Sequence, residues 1–190
     1  MTPEIVVEWL RCRRGILDAV VVSGGEPTLQ PGIAGFISDV RALEYLVKLD
    51  TNGTRPNVLA SLIDAGLLDY VAMDIKAPPE KYDPVCGIPV DQGPIDKSIA
   101  SLTDGHIDYE FRTTIIPQLT REDILAIGNR IRGARSYVLQ QCRWPIPDPS
   151  LSGWAAPHAH YSPIWIEDVL SHLRTIVHCT TRGFTASQPQ

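Results

Sequence analysis

The chain has 190 residues, 44% of them hydrophobic, and a formal net charge of −5. This length suffices for one domain with a sizeable core, and the negative charge argues against a nucleic-acid-binding surface. No stretch reaches the roughly 18 apolar residues that a membrane span needs, and the N-terminus lacks the pattern of a signal peptide. We therefore expect a soluble, cytoplasmic protein with no nucleic-acid or membrane partner.

Apolar segments alternate with amphipathic segments along most of the chain. In chain order, the sequence predicts a helix over 3–15, a strand over 18–23 and a helix over 31–43. A strand over 45–49, a helix over 57–66 capped by Asn57, a strand over 70–75 and a helix over 94–102 follow. Next come a strand over 109–116, a helix capped by Thr120 with Asp123, and a strand over 136–140. This alternation predicts a βα repeat with parallel strands.

Polar clusters follow these apolar runs at each predicted strand end. They are Ser23-Gly24-Gly25-Glu26-Pro27, Asp50-Thr51-Asn52-Gly53, Asp74-Ile75-Lys76, Arg112-Thr113-Thr114 and Gln140-Gln141. Polar residues repeated at successive strand ends are how a β/α barrel builds its site. A doubly wound sheet is the alternative, but it concentrates its phosphate site in one Gly-rich turn. We therefore predict an α/β fold with a partial barrel.

Two segments interrupt the repeat. Residues 78–93 form a stretch longer than an ordinary βα loop, which we expect to cover the site or to meet a partner. Residues 144–163 are rich in proline and read as a loop, after which Ser162-Pro163 starts a final amphipathic helix. Its predicted buried stripe consists of Ile166, Val169, Leu170, Leu173, Ile176 and Val177. We divide the chain into a barrel over 1–143 and a C-terminal region over 144–190.

The first three clusters suit a zwitterionic ligand. Gly24-Gly25 permits a tight turn and Glu26 adds a carboxylate, so this turn can hold an ammonium group, although GG-E-P also occurs as a plain turn. The second cluster and Asp74 supply acceptors for hydroxyls or a cation. Lys76 supplies an ammonium group for a carboxylate.

Arg112 lies inside an apolar strand, where an unpaired cation would be costly, so it needs an anion. Asp74, Glu110 and a ligand carboxylate all remain open as that anion. The four cysteines are at least 37 residues apart (Cys142 to Cys179), so they predict neither a zinc or iron–sulfur set nor a disulfide framework. No metal-binding residues are predicted.

From Met1 to about Trp144, the sequence resembles the activating proteins of the anaerobic ribonucleoside-triphosphate reductase, within the radical S-adenosylmethionine (SAM) superfamily. The phrases that carry the likeness are LDAVVVSGGEPTLQPG, VKLDTNGTRP, LLDYVAMDIKAP, DYEFRTTIIP and YVLQQ. The resemblance implies a partial β/α barrel whose strand ends hold SAM beside a [4Fe–4S] cluster. It also implies an electron donor such as flavodoxin or ferredoxin, and a glycyl-radical enzyme as the partner that loses hydrogen from a glycine.

The resemblance also assigns roles to individual residues. Gly24, Gly25 and Glu26 would hold the methionine amino group, and Lys76 would hold its carboxylate. The methionine and ribose side of the pocket would be lined by Asp50, Thr51, Asn52 and Asp74, with Arg112 and Gln140 completing the far wall.

The chain departs from the family at the cluster ligands. The family holds its cluster with C-x-x-x-C-x-x-C in a loop after the first barrel strand, whereas here Cys12 alone precedes Gly24. We therefore expect the first strand and the cluster loop to be missing, no normal cluster to assemble, and apolar surface to be open near Val20 and Val22. The favoured interpretation is a truncated activase. The alternatives are a clusterless SAM-binding or partner-binding module, a degenerate remnant, and an activase of another enzyme such as pyruvate formate-lyase.

Overall fold

The structure is a computed structural model that describes residues 2–142 and 161–184. Its strands, in chain order, are β1 (Ala19–Val22), β2 (Leu46–Thr51), β3 (Tyr70–Asp74), β4 (Asp108–Ile115), β5 (Tyr137–Gln141) and β6 (Cys179–Arg182). Its α-helices are α1 (Pro3–Arg11), α2 (Ile33–Arg41), α3 (Pro56–Asp64), α4 (Pro79–Cys86), α5 (Gln92–Asp104), α6 (Arg121–Arg130) and α7 (Pro163–Leu173). The alternation of helices and strands agrees with the βα repeat predicted from the sequence.

The elements belong to two compact units. Unit 1 comprises residues 1–74 and 91–110, and unit 2 comprises residues 75–90 and 111–190. The boundary predicted at 143/144 and most of the proline-rich segment after it lie outside the described residues.

Unit 1 contains three parallel strands in the order β1, β2, β3. Val22 lies opposite Leu49, and Thr51 lies opposite Met73, so the strands end near one edge of this sheet. Because side chains alternate between the two faces of a strand, the buried Val47 and Leu49 share one face. The parallel register therefore places the polar turns that follow β1 and β2 side by side.

The first strand is less covered than its apolar sequence predicts. A continuous apolar run is typical of a strand buried on both faces, but Val21 is 54% exposed while Val22 is only 9% exposed. Leu46, opposite Ala19, is 55% exposed and lies on the same face as Val21. Among the described residues, β1 pairs with β2 alone. The open apolar surface predicted near Val20 and Val22 is centred on Val21, the residue between them, because strand alternation turns that side chain outward.

Unit 2 contains a second set of parallel strands. Residues 111–115 of β4 pair with β5, and β5 pairs with β6. The capping box at Thr120 is confirmed, since the Thr120 side chain accepts from the Asp123 backbone and the Asp123 side chain accepts from the Thr120 backbone. Ser162 caps α7 as predicted by accepting from the backbone of Trp165. The first four residues of the predicted stripe are buried on α7, whereas its last two follow the helix end.

Two elements escaped the sequence analysis. The helix α4 lies inside the segment predicted as a loop, because Pro78 and Pro79 come at its start, where proline is tolerated, and Gly87 ends it in the left-handed conformation at φ 72°. The strand β6 has four residues, three of them exposed, so it shows no hydrophobic pattern and exists through its pairing with β5.

Two helix ends differ from the prediction. Helix α3 begins at Pro56, because proline favours the first helical position, so that Arg55 and not Asn57 is the N-cap residue. Helix α1 ends at Arg11, with Cys12 as the C-cap, rather than continuing to Gly15.

Candidate functional site

The turn after β1 has a backbone that requires glycine. Gly24 and Gly25 have φ angles of 105° and 55°, in the region that side chains with a Cβ rarely adopt. Both glycines are exposed, and their carbonyl oxygens accept no backbone hydrogen bond within the described chain. The turn therefore presents backbone acceptors to solvent, as an ammonium-binding turn must.

Glu26 closes this turn with a buried carboxylate that is 8% exposed. Its Oε1 accepts hydrogen bonds from the backbone N–H of Thr28 at 3.1 Å and from the Thr28 hydroxyl at 2.5 Å. The same oxygen accepts from the Thr51 hydroxyl at 2.8 Å, and Oε2 accepts from the backbone N–H of Asn52 at 2.6 Å. One side chain thus links the turn after β1 to the turn after β2.

The turn after β2 is also fixed from within unit 1. The Asn52 side chain accepts from the backbone and the hydroxyl of Thr54, at 3.0 and 2.7 Å. The buried hydroxyl of Ser98, on α5, donates to the carbonyl of Gly53 at 2.8 Å. Gly53 has a φ of 73°, and a Cβ there would come within 2.0 Å of the Met73 side chain. This turn therefore has little freedom to move.

A lysine lies between two carboxylates close to this second turn. Lys48 Nζ is 3.5 Å from Asp50 Oδ1 and 3.7 Å from Glu110 Oε1, and all three side chains are largely buried. The lysine also lies over the ring of Tyr70, 5.5 Å from its centre. Two nearby anions and a π face offset the cost of burying the ammonium. Glu110, which the sequence offered as a partner of Arg112, is thus an ion-pair partner of Lys48.

Four predicted site residues remain. Asp74 is the half-buried last residue of β3 in unit 1, and the other three, Lys76, Arg112 and Gln140, belong to unit 2. The side chain of Lys76 is exposed, while its backbone N–H donates to the hydroxyl of the buried Tyr82 at 3.2 Å. Arg112 is buried within β4. Gln140 lies on β5, and its side-chain amide oxygen accepts from the Arg182 guanidinium at 3.1 Å.

A chain of hydrogen bonds fixes the backbone next to Lys76. The Tyr137 hydroxyl donates to the Thr113 hydroxyl at 2.8 Å, which donates to the carbonyl of Ile75 at 2.7 Å. The backbone N–H of Ile75 in turn donates to the carbonyl of Arg112 at 2.8 Å. Complete burial raises the pKa of Tyr137 well above its usual value, so the hydroxyl stays a neutral donor. The start of the Lys76 segment is therefore held on β4.

The structure places six of the ten predicted residues in the turn after β1, at the end of β2 and in the turn after β2, all in unit 1. They are Gly24, Gly25, Glu26, Asp50, Thr51 and Asn52. The supporting residues that sequence reasoning missed are Thr28, Lys48, Tyr82, Ser98 and Arg182. Thr28 had a signal, because a hydroxyl two residues after an acidic cap often bonds to it. Ser98 and Arg182 lie more than 40 residues from their partners, so the sequence gave no signal for them.

The cysteines do not form a cluster site. Cys12 is exposed, Cys86 and Cys142 are half-buried, and Cys179 is buried. Burial raises the pKa of Cys179 to about 12 and also raises that of Cys86, which disfavours the thiolate that a metal requires. Within residues 2–142 and 161–184, no group of three or more His, Cys, Asp or Glu side chains could hold a metal ion. The described residues therefore do not fit a [4Fe–4S] cluster, whereas the acceptors of the two turns fit the amino group of SAM.

Parallel strands followed by polar turns define an α/β fold, and comparison with known proteins identifies the family. The profile of the Radical SAM superfamily matches residues 1–131, so the chain belongs to that superfamily. Its members use SAM together with a [4Fe–4S] cluster.

A curated relative matches about two thirds of the chain in sequence. The "putative glycyl-radical enzyme activating enzyme" of Methanocaldococcus jannaschii is 36% identical over an alignment of 130 residues that covers 65% of this chain and 54% of the relative. The chain therefore spans about half the length of the curated relative that it matches.

Solved structures match over most of the chain. A domain of pyruvate-formate lyase-activating enzyme from Bacteroides vulgatus has a TM-score of 0.66 and 16% identity, and the match covers 88% of this chain and all of that domain. Streptococcus suis SuiB bound to S-adenosylmethionine has a TM-score of 0.71 and 12% identity, covering 96% of this chain and 44% of SuiB. These likenesses confirm the predicted fold class, a partial β/α barrel of the radical SAM type with parallel strands. In the described part of the chain, no helix has the length and apolarity to cross a membrane.

Proposed function

We propose that this chain binds SAM and is the SAM-binding part of an activating enzyme that installs a glycyl radical on anaerobic ribonucleoside-triphosphate reductase. The observation that carries the proposal is the pair of turns that Glu26 links, with the exposed Gly24-Gly25 backbone at one end. The name of the 36% identical relative, a glycyl-radical enzyme activating enzyme, supports the reaction class. The phrases described in the sequence analysis support the reductase as the target.

In this proposal the chain's own residues recognise both charges of the amino acid part of SAM. The carbonyls of Gly24 and Gly25 accept from the ammonium group, and the exposed ammonium of Lys76 holds the carboxylate. Asp50, Asn52 and Asp74 provide acceptors for the ribose hydroxyls. Once a reductant delivers one electron to its sulfonium, SAM would supply the radical, while the residues of this chain orient SAM and fix its charged groups.

A second candidate is favoured by the scattered cysteines. Since the described residues do not fit a cluster, a clusterless module that binds SAM or a partner without catalysis accounts for the same turns. Iron and sulfide analysis after anaerobic reconstitution separates the two. A stoichiometry near four irons per chain supports the activase, and persistent absence of iron supports the module.

Titration calorimetry with SAM tests the binding proposal directly. We expect one site per folded chain, and no heat of binding with a folded protein would contradict the activase and would leave only a module that binds a partner. The identity of the target enzyme is tested with the anaerobically reconstituted chain. The chain is incubated with SAM, a flavodoxin or ferredoxin reductant and either the anaerobic reductase or pyruvate formate-lyase, and electron paramagnetic resonance then detects any glycyl radical. A glycyl radical on the reductase alone supports the proposed target, whereas a radical on pyruvate formate-lyase alone replaces it with that enzyme.

A further inference from the structure

The carboxylate of Glu26 is already occupied by donors of its own chain. A carboxylate offers about four lone-pair directions, two on each oxygen. Oε1 receives the backbone and hydroxyl of Thr28 and the hydroxyl of Thr51, and Oε2 receives the backbone N–H of Asn52. Four donors therefore fill most of the hydrogen-bonding capacity of this side chain without any ligand.

The burial of Glu26 also indicates that its carboxylate is occupied by the chain itself and not by a ligand. The side chain is 8% exposed, and Thr28 and Thr51, which contribute three of its four donors, are buried as well. The neighbouring Gly24 and Gly25 are exposed. A ligand that approaches the turn from solvent thus meets the glycine backbone, while the carboxylate is enclosed by its donors.

We infer that Glu26 is a positioning residue that holds the turn after β1 against the turn after β2, rather than a direct partner of the SAM ammonium group. This inference rests on the proposed function, because it divides the recognition of SAM between the glycine backbone and a buried support. Thr28, which lies outside the predicted site, belongs to the same support through its hydroxyl. Loss of either side chain displaces Asn52, on the other turn.

Two ligands distinguish a support from a direct contact. SAM carries the amino and carboxylate groups, whereas 5′-methylthioadenosine has the nucleoside and thioether without them. We expect Glu26→Gln and Thr28→Val each to weaken binding of both ligands by about tenfold, as expected for loss of a buried hydrogen bond to a charged group. Thr28→Ser, which keeps the hydroxyl, should restore most of the affinity. A loss with Glu26→Gln that is confined to SAM would overturn the inference in favour of direct ammonium binding.

Amide hydrogen exchange of the ligand-free protein provides a test that needs no ligand. In Thr28→Val, we expect faster exchange at Asn52 and Thr54, which lie on the other turn, with Thr28→Ser close to the original protein. Unchanged exchange at Asn52 in a folded Thr28→Val variant would contradict the supporting role. Should neither ligand bind the original protein, the proposed function fails, and the exchange result still decides the role of Glu26.

Discussion

The two units hold their candidate site residues by different means. In unit 1, these residues lie in the turn after β1, at the ends of β2 and β3 and in the turn after β2, and the buried side chains of Glu26 and Ser98 fix the two turns. In unit 2, Arg112 and Gln140 lie within paired strands, so the backbone ladder fixes them. Turn geometry in unit 1 thus depends on a few polar side chains, whereas geometry in unit 2 depends on the whole sheet. The comparison predicts that substitution of a single side chain lowers stability or SAM affinity more in unit 1 than in unit 2.

The largest effect is expected for Gly53→Ala in unit 1. The new Cβ would lie 2.0 Å from the Met73 side chain at a φ of 73°, so strain and overpacking should together lower the free energy of unfolding by about 3 kcal/mol. Urea denaturation measures the change. Gly35→Ala is the matched control, because a Cβ on α2 there meets no atom within 4 Å and should leave stability equal or slightly higher. Equal stability of the two variants would contradict the description of this turn.

Lys76→Ala tests the one predicted site residue of unit 2 that the structure describes as exposed. Loss of a charge-assisted hydrogen bond to the SAM carboxylate should weaken binding by roughly 10- to 100-fold in calorimetry. Lys97→Ala, which removes an equally exposed lysine from α5, should have no effect. Matching affinities in the two variants would remove Lys76 from the proposed site.

The sequence predicted the repeat and the place of the polar turns, but not what holds them. Strand-forming runs such as those of β2 and β3 and the Thr120 capping box are local signals, so they could be predicted. Ser98 supports Gly53 from 45 residues away, and Lys48 meets Glu110 from 62 residues away by subtraction, so only the fold brings them together. Elements without an apolar pattern of their own, such as β6, were missed for the same reason.

A smaller loss of stability is expected for substitution of Thr120, the N-cap residue of α6 in unit 2. Thr120→Ala removes the side-chain oxygen that accepts from the Asp123 backbone, so we expect the free energy of unfolding to fall by about 1 kcal/mol. Thr120→Ser keeps that oxygen and should cost much less. SAM affinity should stay unchanged in both variants, because Thr120 is not among the proposed SAM-binding residues, and a loss of affinity would contradict that assignment.

The smallest change in the free energy of unfolding at neutral pH is expected for Cys179→Ala in β6. Burial raises the pKa of its thiol to about 12, while the exposed thiol of the unfolded chain has its ordinary value near 9. Above pH 9 the unfolded chain loses this proton first, so the thiol's contribution to stability is complete below pH 9 and disappears as the pH rises towards 12. The stability of Cys179→Ala should therefore fall less steeply over this range in urea titrations. If the free energies of unfolding of the original protein and of Cys179→Ala fall in parallel as the pH rises, the Cys179 thiol does not cause the loss of stability.

The open face of β1 also bears on how the protein behaves in concentrated solution. Val21 on β1 and Leu46 on β2 share one sheet face and are both more than half exposed, and within the described chain β1 pairs along one edge only. Strands of this kind invite pairing between molecules, which would raise light scattering with protein concentration. Apparent affinities for SAM would then depend on dilution. Binding and unfolding are therefore best compared at the lowest protein concentration that the instruments allow.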